Sequence, residues 1–244
     1  MNKIQNANIE NCEKMLMNIM AEHNIECTES MLHQFRIYFE FLTEYNKFVN
    51  LTSLTNAEDV YIKHFADSML GQKFIKKGAT VCDVGTGAGF PGVVLKIVRP
   101  DINLTLVDGL QKRVDFLKQL LTKLDISGVT VLHNRAEDAD FKSQYLNSFD
   151  FVVSRAVAKL NTLAEYCLPF VKVGGCCVAY KSNDCQEEIL QAKNCIDILG
   201  GEYKETINLN VDDNIERSFV IIEKIKKTND KYPRGQNKPR LKPL

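Results

Sequence analysis

No Cys-x-x-Cys pair occurs among the eight cysteines, so a metal knuckle or redox centre is not indicated. Most of these cysteines sit at apolar-periodic positions and read as reduced, structural thiols. No apolar run approaches the roughly 20 residues that a membrane-spanning helix needs. The first residues, MNKIQNANIENCEK, lack the basic-then-apolar order of a secretory leader, and a cytoplasmic location is the expectation. No internal repeat is visible. Net charge is also missing, since 31 Lys and Arg balance 31 Asp and Glu. That balance hides an asymmetry: residues 224–244 hold eight basic residues and one acid, Asp230. A basic tail on a mildly acidic body suggests an anionic partner.

What is present divides the chain into three. Residues 1–72 read as helical. Ile9, Cys12, Leu16, Ile19 and Met20 recur at helical spacing, as do Leu32, Phe35, Phe39, Leu42 and Tyr45 after the cap-like Thr28. A further helix is expected over 56–70, with Asn56 as its cap. From residue 73 to 226 short apolar runs alternate with helical periods. Strands are expected at 79–84, 103–108, 129–133, 150–154, 175–180, 202–209 and 217–224. Helices are expected at 91–98, 110–124, 160–168 and 185–199. This order predicts a doubly wound α/β fold, a mostly parallel seven-stranded sheet whose last two strands pair antiparallel. Residues 227–244, with Pro233, Pro239 and Pro243 among Lys, Arg and Asn, are expected to be a basic, flexible tail without regular structure.

The stretch VCDVGTGAGFPG, residues 81–92, ends an apolar run in an acid and then places four glycines within eight residues. Something must approach the backbone closely there. In an open α/β sheet, ligands bind outside the carboxyl ends of the strands, which is where this loop stands. Counted from Gly85, the third glycine position of a dinucleotide fingerprint holds Phe90. Asp83 beside the loop disfavours a pyrophosphate and suits a cationic ligand. S-adenosylmethionine, with an ammonium, a sulfonium and a ribose but no phosphate, fits that preference. Gly85, Thr86 and Gly87 then belong to its loop. Asp108, ending the second strand, can accept both ribose hydroxyls, but nicotinamide enzymes use the same device. The turn HNRAED after the third strand stands where an adenine would rest, with backbone groups at Ala136 and Glu137. After the fourth strand the chain reads Ser154-Arg155-Ala156, where methyltransferases acting on exocyclic amines carry an Asn/Asp-Pro-Pro-Tyr-type motif. Arg155 can bond guanine O6 and N7, or hold a cofactor carboxylate.

DVGTGAGFPG, VDGLQKRVDFLKQL, RAED, SRAVAKL and AYKS follow one another as in the bacterial ribosomal RNA small subunit methyltransferase G family, also called glucose-inhibited division protein B. NKFVNLTSLTNAEDVYIKHFADSM resembles that family's N-terminal signature, and YPRGQNKPRLKPL the basic tail of its Firmicutes-type members. The resemblance spans residues 32–244. It implies a Rossmann-like class I S-adenosylmethionine-dependent methyltransferase fold with an N-terminal helical extension. It also implies methyl transfer to N7 of a guanine in the 530 loop of 16S ribosomal RNA, within a 30S particle, by a monomer using no metal, DNA or membrane. Cofactor contacts implied by it are Gly85, Phe90, Ala136, Glu137 and Arg155. Guanine N7 carries a free lone pair, so no acid or base residue is expected, and Arg155 and Lys181 are assigned to positioning. RNA contacts are expected from Lys112, Arg113, Arg155, Lys159 and Lys181, and by resemblance from Asn46, Lys47, Asn50 and His64. Two alternatives stay open: a nicotinamide-dependent oxidoreductase, and a non-catalytic RNA-binding protein with a cofactor-like pocket.

Overall fold

Thr28 accepts the Met31 N–H at 3.2 Å and so starts the second of two long helices, α1 (Lys3–Glu22) and α2 (Glu29–Val49). The computed structural model describes residues 3–182 and 184–244. Asn50 ends α2 in the left-handed conformation, which asparagine tolerates. Asn56 caps the next helix through the Asp59 N–H at 2.8 Å. The single helix expected there is composite: α3 (Ala57–Asp59), a π-helix (Val60–Ala66), α4 (Asp67–Met69) and a 3-10 turn (Leu70–Phe74). Such π insertions concentrate at functional sites, and this one carries His64.

Seven strands form one sheet: β1 (Thr80–Val84), β2 (Asn103–Asp108), β3 (Val129–His133), β4 (Phe149–Arg155), β5 (Val171–Lys181), β6 (Gly201–Asn210) and β7 (Glu216–Lys224). Their order is β3-β2-β1-β4-β5-β7-β6. The first five run parallel, and β7 is antiparallel to both β5 and β6. The order reverses between β1 and β4, so a crevice opens at their carboxyl ends. Crossover helices α5 (Gly92–Val98), α6 (Gln111–Lys123), α7 (Ala139–Tyr145), α8 (Leu160–Cys167) and α9 (Gln186–Ile198) cover both faces. The N-terminal helices pack on the same face as α5 and α6, while α8 and α9 share the second core. Helix α7 has no counterpart in the sequence reading. Only Phe141 and Tyr145 mark its apolar face, and they pack on Phe170 and Phe149.

The C-terminal segment also departs from expectation. It contains a short helix, α10 (Lys238–Leu241), and it buries Tyr232, Pro233 and Pro239 against the body. Arg234 anchors it, with Nε and Nη2 donating to the two carboxylate oxygens of buried Glu165 at 2.8 and 2.6 Å. The prolines exclude a long helix, yet they leave room for apolar and ionic anchoring.

Candidate functional site

A cavity of about 540 Å³ occupies the switch point, within the range usual for small-molecule sites. Its floor is the glycine loop. Gly85 and Thr86 donate their N–H groups to the Val107 carbonyl at 2.9 and 3.2 Å, tying the loop to β2. Gly85 has φ +72°, and a Cβ there would stand 2.5 Å from Val157 Cγ2. Only glycine therefore lets the loop after β4 close over it. Gly87 donates its N–H to Asp108 Oδ2 at 2.9 Å. Asp108 Oδ1 accepts the Leu110 N–H at 3.0 Å, and Arg113 Nη1 donates to Oδ2 at 3.2 Å. A carboxylate offers about four acceptor sites, so Asp108 keeps capacity for a ligand. Thr86 lines the cavity, and its buried hydroxyl faces the Asp83 carboxyl beneath the loop.

Asp83 does not line the cavity. It is fully buried beneath the loop, where Oδ2 accepts the Gly92 N–H at 2.8 Å. Burial raises its pKa to about 7, against the lowering effect of bonds to Thr86 and Gly92. The expected contact between Asp83 and a ligand is thus replaced by a structural role at the start of α5. Phe90 does line the cavity, between Tyr38 (centroids 5.3 Å) and His64 (4.3 Å), with the Arg155 guanidinium 5.2 Å from its ring. Counted from Gly87, the run does satisfy Gly-x-Gly-x-x-Gly through Gly92. Glycine spacing therefore does not separate a dinucleotide from another nucleoside cofactor; what stands at Phe90 is more telling.

Arg155 points into the N-terminal layer. Nη1 donates to the Lys63 carbonyl at 3.0 Å and to Asp67, and Nη2 donates to His64 Nδ1 at 2.9 Å. Asp67 also holds Arg217, so one buried carboxylate serves two guanidiniums. Because guanidinium only donates, His64 Nδ1 accepts and Nε2 carries the proton. Nε2 lies 2.9 Å from Thr52 Oγ1. Burial, then the charge of Arg155, lowers the His64 pKa to about 3, so the ring is neutral near pH 7.

The rim can be followed contact by contact. Lys112 Nζ donates to the Val49 carbonyl at 3.1 Å, joining α6 to the end of α2. Thr52, His64 and Arg155 follow. Arg240 of the tail donates to the Val157 carbonyl at 3.1 Å, and Tyr166 lies 3.4 Å from Asn237. Beside Tyr166 the Ala136–Glu137 turn lines the wall. Leu51, Thr52, Tyr166, Asn237 and Arg240 were not foreseen as lining residues; all but Tyr166, which faces the cavity from α8, lie in a loop or in the C-terminal segment. Other expected residues fall elsewhere. Asn46 is buried and holds the turn at residues 51–52. Lys181 is tied to Glu188 at 2.6 Å and to the Ala158 carbonyl. Lys47 pairs with Glu44 on the surface, while Asn50 and Lys159 are exposed outside the cavity lining.

A family model described as rRNA small subunit methyltransferase G matches residues 31–218. The chain belongs to that family. A curated relative from Lactobacillus helveticus, named Ribosomal RNA small subunit methyltransferase G, is 43% identical over 240 residues, covering 96% of this chain and 99% of that protein. One of the same name from Bacillus cereus is 44% identical over 241 residues, covering 97% and 99%. Among solved structures, a SAM dependent methyltransferase from Aquifex aeolicus is similar in fold, with TM-score 0.52 and 17% identity over 71% of this chain and 96% of that one. The seven-stranded, mostly parallel sheet with its antiparallel hairpin is thus that of an S-adenosylmethionine-dependent methyltransferase. Residues 219–244, which supply Asn237 and Arg240, lie beyond the family match. Among the described residues, no helix is long and apolar enough to cross a membrane.

Proposed function

We propose that the chain methylates N7 of a guanine in the 530 loop of 16S ribosomal RNA, using S-adenosylmethionine, as a cytoplasmic monomer acting on a 30S particle. Membership of the rRNA small subunit methyltransferase G family is the observation that carries this reading. The cavity fits the cofactor chemically. Asp108 retains acceptor sites for ribose hydroxyls, and Gly85 leaves the loop open to close approach. Ala136 and Glu137 supply the wall for the adenine, and Arg155 and Phe90 bound the opposite side. When bound, S-adenosylmethionine supplies an electrophilic methyl, whose bond to sulfur breaks as the guanine N7 lone pair forms the new one. Guanine N7 needs no deprotonation, so the protein contributes proximity and orientation, effects that reach roughly 7–11 kcal/mol in favourable cases. The neutral His64 ring cannot act as an acid near pH 7 and serves as a packed wall.

The test is direct. Labelled S-adenosylmethionine and 30S particles from cells lacking the modification are incubated with the protein, and the modified nucleotide is mapped. Label at N7 of a 530-loop guanine is expected. Label on an adenine, on protein, or nowhere would overturn the reading.

A further inference from the structure

Thr52 is held more rigidly than an ordinary loop residue. Asn46 Oδ1 accepts its N–H at 2.9 Å, and Asn46 Nδ2 donates to its carbonyl at 2.9 Å. Its hydroxyl oxygen lies 2.9 Å from His64 Nε2 and accepts the Leu54 N–H at 3.1 Å. Arg155 fixes the sense of the first bond. A guanidinium at Nδ1 forces the proton onto Nε2, so His64 donates to Thr52. Both lone pairs of the hydroxyl oxygen are then engaged, and its own proton must be donated elsewhere. Thr52 lines the cavity beside His64 of the N-terminal helical layer.

We infer that the Thr52 hydroxyl is a preorganised donor to O6 of the target guanine and discriminates guanine from adenine. This rests on the guanine-N7 reading above. Guanine presents O6 and N7 as neighbouring acceptors on one edge, whereas adenine replaces O6 with a donating amine. With N7 turned toward the methyl, O6 falls against the adjacent wall. A group constrained to donate accepts guanine and meets adenine donor to donor. Positive charge develops on the purine as N7 is methylated, and O6 becomes a poorer acceptor. The bond is therefore stronger in the bound substrate than in the transition state, and it serves selection and binding more than rate.

Thr52→Val, Thr52→Ser and the unaltered protein are compared in three measurements: calorimetry with S-adenosylhomocysteine, thermal melting, and steady-state methylation of unmodified 30S particles. Thr52→Val is expected to raise KM for the particle about tenfold with kcat retained, as for loss of one good hydrogen bond. Its S-adenosylhomocysteine affinity should be unchanged, and Thr52→Ser should restore KM. Particles reconstituted with 6-thioguanine at the target, whose sulfur is a poor acceptor, should raise KM for the unaltered protein similarly and for Thr52→Val no further. This arm needs no altered protein to fold. Weakened S-adenosylhomocysteine binding in Thr52→Val would assign the hydroxyl to the cofactor and overturn the proposal. Additive effects of the variant and 6-thioguanine would do the same. Failure of the unaltered protein to methylate guanine would instead remove the reading on which it rests.

Discussion

Gly85 shows how one missing Cβ sets the site. Alanine there would meet Val157 Cγ2 and be forced into φ +72°, a conformation that costs non-glycine residues roughly 1–2 kcal/mol. Gly85→Ala is expected to lower S-adenosylhomocysteine affinity about tenfold by calorimetry, as the loop tilts to relieve that clash. Undiminished binding would remove the loop from the cofactor site. Two buried titratable groups make a second test. His64, lowered to about 3, lets the unfolded chain take up a proton first on acidification. Its contribution is full above about pH 6.5 and is lost as pH falls toward 3. Asp83, raised to about 7, acts oppositely: the folded state keeps the proton, and stability is lost as pH rises from about 4 toward 7. The two slopes oppose one another where they overlap. The melting-temperature deficit of His64→Gln should therefore shrink between about pH 7.5 and about pH 5, while Asp83→Asn should gain stability only at the higher value. Parallel shifts at both pH values would refute these assignments. The glycine loop and Asp108 were legible because their spacing follows strand and helix ends. The burial of Asp83 was not, because a sequence shows an acid beside a loop but not which side of the loop it occupies.

At the scale of elements, strands and long helices follow their periods, and the misreadings lie where periods are too short or apolar anchors too sparse. Helix α7 spans seven residues, and α10 four. The tail's order comes from particular anchors rather than from propensity: buried Tyr232 and the Arg234–Glu165 pair. Removing the guanidinium leaves Glu165 buried and unpaired, a change that costs 3–5 kcal/mol or so in full burial and less here because Arg234 is partly exposed. Arg234→Ala should lower the melting temperature and open the segment to trypsin after Arg240. It should also weaken S-adenosylhomocysteine binding, since Asn237 and Arg240 line the cavity and Arg240 holds the Val157 carbonyl. Arg234→Ala with Glu165→Ala should recover part of the stability, because no orphaned charge remains, but not the binding. A melting curve and proteolysis pattern like those of the unaltered protein would show that the pair does not fasten the tail.

For the whole molecule, the basic tail read from composition overstates the charge available to RNA. Lys224 is fully buried, with Nζ donating to the Leu168 and Leu199 carbonyls at 2.6 and 3.2 Å, and burial lowers its pKa to about 8. Arg234 is neutralised by Glu165, and Lys181 by Glu188. Lys226, Lys227, Lys231, Lys238, Arg240 and Lys242 remain exposed, Lys238 and Lys242 flanking the cavity-lining Arg240, while Lys112 and Phe48, the latter 80% exposed, stand at the end of α2. Charge and aromatic surface act differently on RNA. A lysine that neutralises a phosphate releases counterions, so its loss flattens the dependence of binding on salt by about 0.7–0.9 in the log–log slope. A base stacked on an aromatic ring contributes about 1–3 kcal/mol with little effect on that slope. Filter binding to unmodified 30S particles across a salt series should then separate the variants. Lys238→Ala with Lys242→Ala is expected to flatten the slope, and Phe48→Ala to weaken binding several-fold at every salt concentration. Lys181→Ala should leave the slope unchanged, because its charge is already paired. If Lys181→Ala flattened the slope and the tail lysines did not, the RNA would approach over α9 rather than across the cavity mouth.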